Sequence, residues 1–415
     1  MASVLKISKI SEEVKAYLKK TLRLHIVGRF STETLFGASE LEPGYIRVPY
    51  HFGKTVPACI TRPKPDTFAC APFRGKLRDE QLVIFEKCRL HLQKDGVVLL
   101  VSFAGFGKTI VACALALELK MTTLVVVNRL CLLQQWKNAF STFCSVDAVI
   151  IENDADFASS ARFSIVNISR LKTANLALLK RFHTVILDET HLLFSKKGHQ
   201  HLLRLVPFHL IGLTATDWRT DGLDSLFRLF YGPARVERKR TAQEEAQMTV
   251  VRVETRFTPI VKGTGPGQWN EVLNQSATDE ERNKQIEIIV RKHPSRVFII
   301  LVKRVEQIKL LGELLSDQHV ACLIGSQQEF DREARIIIGT ALKLGTGFDF
   351  PRANGLILAA DVVQYIQQYI GRVMRRQDSK PLIFDLYDNF KTLQKHFEKR
   401  NQAYGNAGKK MYKPL

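Results

Sequence analysis

Eight short runs of aliphatic residues, apolar almost without interruption, set the strongest limit on what this chain can fold into. They are Val97–Val101, Leu124–Val127, Val185–Leu187, Leu210–Leu213, Val297–Val302, Ile336–Ile338, Leu356–Leu358 and Leu382–Phe384. A strand with one wet face alternates apolar and polar residues. A run without alternation is buried on both faces, which is the condition of a strand in a parallel sheet covered by helices. Helical patterns separate the runs. Four precede residue 220 and four follow residue 290, so the sequence predicts an α/β chain with two parallel-sheet domains of similar size.

The segments around these runs read differently. Pro43, Pro49, Pro57, Pro63 and Pro65 exclude long helices from much of residues 1–70,. That stretch reads as an accessory region with a small helical start and an irregular, β-rich continuation. Residues 71–235 then form the first domain. Residues 236–290 are charged and polar and contain Gly263-Thr-Gly-Pro-Gly267, so they read as a linker and surface insertion. Residues 291–415 form the second domain, ending in a basic tail from Lys391. By composition that tail is a solvated helix end rather than a phosphate-contacting arm.

Charge narrows the partners. Lys and Arg total 61 against 41 Asp and Glu, a net charge of +20. Such a surplus favours polyanions, because neutralising phosphates releases their counterions. An anionic membrane is the competing surface. No run approaches the roughly 18 apolar residues of a membrane span, and Met1–Lys20 has no apolar core of a secretion signal,. None of the seven cysteines forms a Cys-x-x-Cys pair or has histidines at zinc spacing,. Cys113 and Cys131 read as small core residues, and a reducing, intracellular compartment is expected.

The first apolar run leads into Ser102-Phe103-Ala104-Gly105-Phe106-Gly107-Lys108-Thr109 and then a helical pattern. Strand, glycine loop and helix N-terminus together make a phosphate cradle: the glycines let backbone N–H groups approach, and the helix dipole favours negative charge. In this P-loop pattern Lys108 reaches the β- and γ-phosphates of ATP and Thr109 holds Mg²⁺. Ser102 stands where the first glycine usually does. A second element, Val185-Ile-Leu-Asp188-Glu189-Thr190-His191, sets two carboxylates at the end of a buried strand. Asp188 fits the Mg²⁺-holding acid and Glu189 the base for an attacking water. Further on, Asp361–Arg376 reads as one helix. Gln368, Gly371, Arg372 and Arg375 fall at i, i+3, i+4 and i+7, on one face. Spacing alone leaves two readings open: a pair of arginines aimed at a γ-phosphate, or a basic solvated helix end.

Asp188-Glu-Thr-His191 resembles the DExH box of superfamily 2 helicases, and the likeness runs from about Gly75 to Arg376. Leu77-Arg78-Asp-Glu-Gln81 resembles the segment whose Gln reads adenine. Leu124–Trp136, with Arg129, Gln135 and Trp136, resembles a motif touching the tracked strand. Gly212-Leu-Thr214-Ala-Thr216, then Arg219 and Asp221-Gly222, resembles the coupling motif, with Asp217 where the family has Pro. Leu301-Val-Lys303-Arg304 resembles a strand-contacting motif, and Gly339-Thr340 through Gly345-Thr-Gly347-Phe-Asp349-Phe-Pro351 resembles the one sensing both nucleotide and strand. Gln368–Arg376 is similar to the arginine-finger motif. The details resemble the XPB and UvsW group and its large-DNA-virus relatives, including poxvirus-type transcript-release helicases.

The resemblance implies two tandem RecA-like domains and ATP hydrolysis in the cleft between them. Lys108 and Thr109 form one wall and Arg372 and Arg375 the other, with Gly347 and Asp349 touching nucleotide. His191, Thr214 and Thr216 couple hydrolysis to movement. Arg129, Arg170, Lys303 and Thr340 contact nucleic acid, with DNA favoured over RNA. It implies a monomeric motor serving transcription or repair machinery and, if viral, acting in host cytoplasm or nucleus, with packaging in the virion as an option. An ATP-gated nucleic-acid binder with weak motor output is the alternative, motivated by Ser102 and Asp217. Trp136 on its own reads as a core residue.

Overall fold

The computed structural model describes every residue except 1, 28–31, 61, 63, 70–71, 217–220, 262–266, 326–328, 346–347, 349, 364–365, 375–379 and 413–415. The chain divides into two units, one of residues 1–102 and 106–238 and one of residues 103–105 and 239–415. Among the described residues each holds a seven-stranded sheet, parallel throughout.

In the first unit the strand order is Arg235–Arg238, Val97–Ser102, His209–Thr214, Thr184–Leu187, Thr123–Val127, Phe163–Asn167, Val149–Ile151. In the second it is Val320–Leu323, Ile336–Thr340, Phe298–Val302, Gly355–Leu358, Leu382–Tyr387, Thr249–Glu254, Gly408–Tyr412. All eight apolar runs are strands within these sheets. The second unit shows why they do not alternate. Ile299, Leu301, Leu356, Leu358 and Ile383 enter one core. Phe298, Ile300, Val302, Ile357 and Phe384 enter another, against Ile286, Ile289 and Val290 of helix Glu280–Lys292. Each strand feeds two cores, so every position must be apolar.

Residues 1–70 begin with a strand rather than a helix. Ala2–Lys6 pairs antiparallel with Tyr45–Pro49, which also pairs with Ser39–Glu42. Helix Glu12–Thr21 follows the first strand. The region is fastened to the loop before His209: Ala2 N donates to Leu205 O at 2.7 Å and the buried Arg47 Nη1 to Arg204 O at 2.5 Å. It therefore abuts the amino end of that strand, opposite Thr214.

Three expectations are corrected. Residues 236–290 are not a linker and insertion. Arg235–Arg238 is the edge strand beside Val97–Ser102, Thr249–Glu254 is an interior strand of the second sheet, and Gln268–Thr278 and Glu280–Lys292 are helices. The residues of the Gly263–Gly267 stretch up to 266 lie outside the described residues. Nor is the C-terminus a solvated tail. Helix Lys391–Ala403 buries Leu393, Phe397 and Arg400, and Gly408–Tyr412 closes the sheet edge. The Arg400 guanidinium is paired with the fully buried Asp385 at 2.9 Å, a charge that costs little only because its partner is there. Finally, Asp361–Arg376 is not one helix. The described helix is Ile366–Val373, and the Asp361 carboxylate before it is held by His396 Nδ1 at 2.8 Å and Arg400 Nη1 at 3.4 Å. Cys113 is buried as expected, whereas Cys131 is only half-buried.

Candidate active site

The fully buried strand Val97–Ser102 runs through the loop into helix Lys108–Leu119, capped by Gly107. Gly105 and Gly107 have φ of 92° and 95°, a region open to glycine at no steric cost. At Gly107 there is also no room: a Cβ would lie 2.4 Å from Gln81 Nε2. Gln81 sits beneath the loop. Its Nε2 donates to Phe106 O at 2.8 Å and its Oε1 accepts from Arg78 N at 3.0 Å. Arg78 Nη2 donates to Phe106 O at 2.5 Å, a role that sequence reasoning missed. Lys108 Nζ donates to Ser102 O at 2.9 Å, so the lysine lies along its own loop. Ser102 Oγ is buried and has no hydrogen-bond partner among the described residues. A buried hydroxyl in that state costs free energy unless a ligand completes it, and phosphate oxygens would.

Strand Thr184–Leu187 ends beside Thr123–Val127 and His209–Thr214. The loop, Thr214, Asp188, Arg129 and Arg170 therefore follow the carboxyl ends of five neighbouring strands, the edge at which open α/β sheets bind ligands. Asp188 is buried, and each carboxylate oxygen has its own donor. Glu189 N reaches Oδ1 at 3.0 Å and Trp136 Nε1 reaches Oδ2 at 2.8 Å. Burial, followed by the adjacent Glu189 charge, pushes the Asp188 carboxyl up to about 6; Trp136, Lys108 and the Glu189 amide pull the other way,. Glu189 has φ of 49°, a conformation a non-glycine residue holds only when its surroundings enforce it, as at functional sites.

His191, Thr214 and Thr216, the residues expected to couple hydrolysis to movement, come together around this turn. Glu189 Oε2 lies 3.4 Å from His191 Nδ1, and the same nitrogen lies 2.9 Å from Thr214 Oγ1. Thr214 Oγ1 donates to Thr216 O and accepts from Thr216 N at 3.1 Å. With the hydroxyl proton so used, His191 Nδ1 is assigned as the donor to Thr214. Thr190 Oγ1 ties both strand ends, 3.2 Å from Leu187 O and from Leu213 O. Asp217 and Arg219 lie outside the described residues.

Arg129 immediately precedes helix Leu130–Cys144, and Arg170 is exposed in the turn after Phe163–Asn167. Their strands pair with Val127 opposite Asn167. In the second unit Lys303 and Thr340 are likewise brought together, since Val302 is the register partner of Thr340. Lys303 is exposed, and Thr340 Oγ1 accepts from Lys343 N at 3.3 Å. Gln368 and Arg372 share one face of Ile366–Val373, and Arg372 Nη2 donates to Gly345 O at 2.6 Å. Gly347, Asp349 and Arg375 lie outside the described residues. The contact of Trp136 with Asp188 was not foreseen, although a buried indole N–H always asks for an acceptor.

Comparison with known proteins agrees with this picture. Residues 74–218 match the family model described as type III restriction enzyme, res subunit. The chain is 40% identical over 367 residues to "Putative helicase 161L" of Invertebrate iridescent virus 6, covering 81% of this chain and 82% of that one. It is 32% identical over 381 residues to "Putative helicase 055L" of Frog virus 3, covering 88% and 85%. It is 23% identical over 352 residues to "DNA 3'-5' translocase XPB2" of Sulfurisphaera tokodaii, covering 71% and 78%. With two sheets of this kind, a phosphate loop ending one strand and an Asp-Glu pair ending another, the chain belongs to the superfamily 2 helicases and is an ATP-hydrolysing enzyme.

Proposed function

We propose that this helicase-type ATPase is a translocase on DNA, with Glu189 as the base for the attacking water and the carboxyl edges of both sheets as the contact with the track. The observation that carries the chemistry is the buried Asp188-Glu189 turn. Asp188 has one donor on each carboxylate oxygen, and Glu189, held in a left-handed turn, lies 3.4 Å from His191. The excess of 20 positive charges, the placement of Arg129 and Arg170, and of Lys303 and Thr340, at the carboxyl ends of paired strands, and the name of the Sulfurisphaera tokodaii relative, a DNA translocase, support the track.

Loop N–H groups and Lys108 hold the phosphates of ATP. Thr109 and Asp188 would hold Mg²⁺, which supplies charge neutralisation to the phosphates. Among the described residues no group of three or more His, Cys, Asp or Glu could hold a metal by itself, which suits a cation that arrives with phosphate oxygens. Glu189 takes a proton from water as its oxygen bonds to the γ-phosphorus; the bond from that phosphorus to the bridging oxygen breaks and ADP leaves. Arg372 would stabilise the charge on the transferring phosphoryl group from the second domain when the cleft closes. The contacts from Glu189 through His191 and Thr214 to Thr216 would relay the change at the γ-phosphate to the end of the next strand.

The test is the steady-state ATPase rate without polymer and with duplex DNA, single-stranded DNA or RNA, with Lys108→Ala as the blank. Strong stimulation by either DNA form is expected. Stimulation by RNA alone would overturn the choice of track. Tight, salt-sensitive binding with no turnover on any polymer would replace the motor with an ATP-gated binder.

Asp188 also gives a pH prediction. A proton competes with the cation for a carboxylate whose folded-state value is raised. With that value near 6, the ionised fraction falls about tenfold between pH 7 and pH 5,. The Mg²⁺ concentration giving half-maximal turnover should therefore rise about tenfold over that interval. A flat Mg²⁺ dependence would show that Asp188 does not hold the metal.

A further inference from the structure

Helix Leu130–Cys144 buries Leu132, Trp136, Phe140 and Cys144, a stripe at i, i+4, i+8 and i+12. Leucine or phenylalanine would fill such a stripe. Trp136 brings an N–H into a place where only 1% of the residue is exposed, and an indole N–H there must find an acceptor. It finds Asp188 Oδ2 at 2.8 Å, across 52 residues of sequence. We infer that Trp136 is a positioning residue for the metal-holding carboxylate, setting the plane of Asp188 through its indole N–H. The inference rests on the proposed role of Asp188.

The geometry of the carboxylate carries the argument. Glu189 N holds Oδ1 at 3.0 Å and Trp136 holds Oδ2. One donor on each oxygen fixes the rotation of the group about its last bond, which a single donor leaves free. The remaining lone pairs are then set in one direction. The donor on Oδ2 is itself immobile. The Trp136 ring packs on Phe140 at 5.6 Å between centroids, and Phe140 packs on Phe163 at 5.0 Å, so the indole cannot swing aside without moving the start of a sheet strand. Its chemistry also suits the task. An arginine or lysine at this position would fix the carboxylate but cancel its charge, weakening the attraction for a cation. An indole donates one hydrogen bond and no charge, so Asp188 is oriented, favoured in its ionised form and left with its full negative charge. Trp136 acts only through Asp188 in this reading.

Trp136→Phe keeps the aromatic packing and deletes the donor. The probe is a fluorescent ATP analogue, titrated with Mg²⁺ and separately in excess chelator, alongside thermal unfolding. Affinity in chelator should be unchanged, while the Mg²⁺ concentration for half-maximal tight binding should rise about tenfold or more, as loss of a hydrogen bond to a charged group implies. Because phenylalanine is smaller, a second variant carries benzothienylalanine at position 136, which keeps the indole's shape and replaces N–H by sulfur. It should show the same Mg²⁺ shift with a normal melting temperature. An unshifted Mg²⁺ requirement in the benzothienyl variant overturns the inference, as does equal loss of binding with and without metal. Asp188→Asn separates the two layers of the argument. If it leaves Mg²⁺ dependence untouched, the metal-holding role of Asp188 fails first and the inference with it. If it raises the requirement while both Trp136 variants do not, only the inference fails.

Discussion

Glu189→Gln is expected to lower ATP turnover by about 10²–10⁴-fold, the usual contribution of a placed general base, while nucleotide affinity stays nearly intact. Two adjacent carboxylates compete for the role. Asp188 has the raised value, near 6, which taken alone would name it as the base. Its oxygens are both engaged by donors and it is buried, so it has no freedom to approach a water. The Glu189 carboxylate lies 3.4 Å from the His191 ring and keeps 16% of its side chain exposed. The substitution preserves size and leaves the backbone N–H that serves Asp188, so the left-handed turn and the metal-holding group should persist. Single-turnover hydrolysis, paired with titration of a fluorescent ATP analogue, separates the two effects. Near-normal turnover would remove Glu189 as base and return the question to Asp188. Loss of binding in proportion would mean that the residue shapes the turn rather than the chemistry.

The parts of this molecule legible in the sequence are those whose signal is local. The phosphate loop is a continuous segment, and the eight apolar runs announce burial on both faces. What stayed hidden depends on partners far along the chain. Thr249–Glu254 is an interior strand, yet Arg252 and Glu254 are only half-buried and the Arg252 guanidinium lies 3.6 Å from the centre of the Tyr387 ring. The charges made the segment read as linker because their stacking partner is remote. Arg400 made the C-terminal helix read as solvated, because nothing nearby in sequence reveals that Asp385 and Asp361 receive it. The same reason hid Trp136. Its neighbours on the helix are core residues, and the acceptor that gives it a purpose belongs to another strand. The overlong helix at Asp361 has a different cause: the periodic pattern continues backward through Asp361, but that carboxylate is taken by His396 and Arg400 outside any helix.

Arg372→Ala is expected to reduce turnover by about 10³–10⁵-fold, the contribution of an arginine finger in phosphoryl transfer, with a much smaller change in nucleotide affinity. The structural alternative has a definite size. Arg372 Nη2 donates to Gly345 O at 2.6 Å, and a hydrogen bond of this kind contributes about 0.5–3 kcal/mol, according to how far its charge is shielded. If its loss were expressed wholly as a higher barrier, turnover would fall by roughly 2- to 150-fold. A larger drop exceeds what losing this one bond accounts for and is the result expected of a guanidinium that meets charge existing only in the transition state. Arg372→Lys sharpens the contrast. Lysine can still donate to Gly345 O and retains the charge, but it lacks the planar fork that grips two phosphate oxygens at once. A finger therefore predicts that Lys recovers little of the lost rate, whereas a local tether predicts that Lys recovers most of it along with the melting temperature of the second domain. Recovery by Lys would return Arg372 to a structural role and leave the γ-phosphate to be met by other groups.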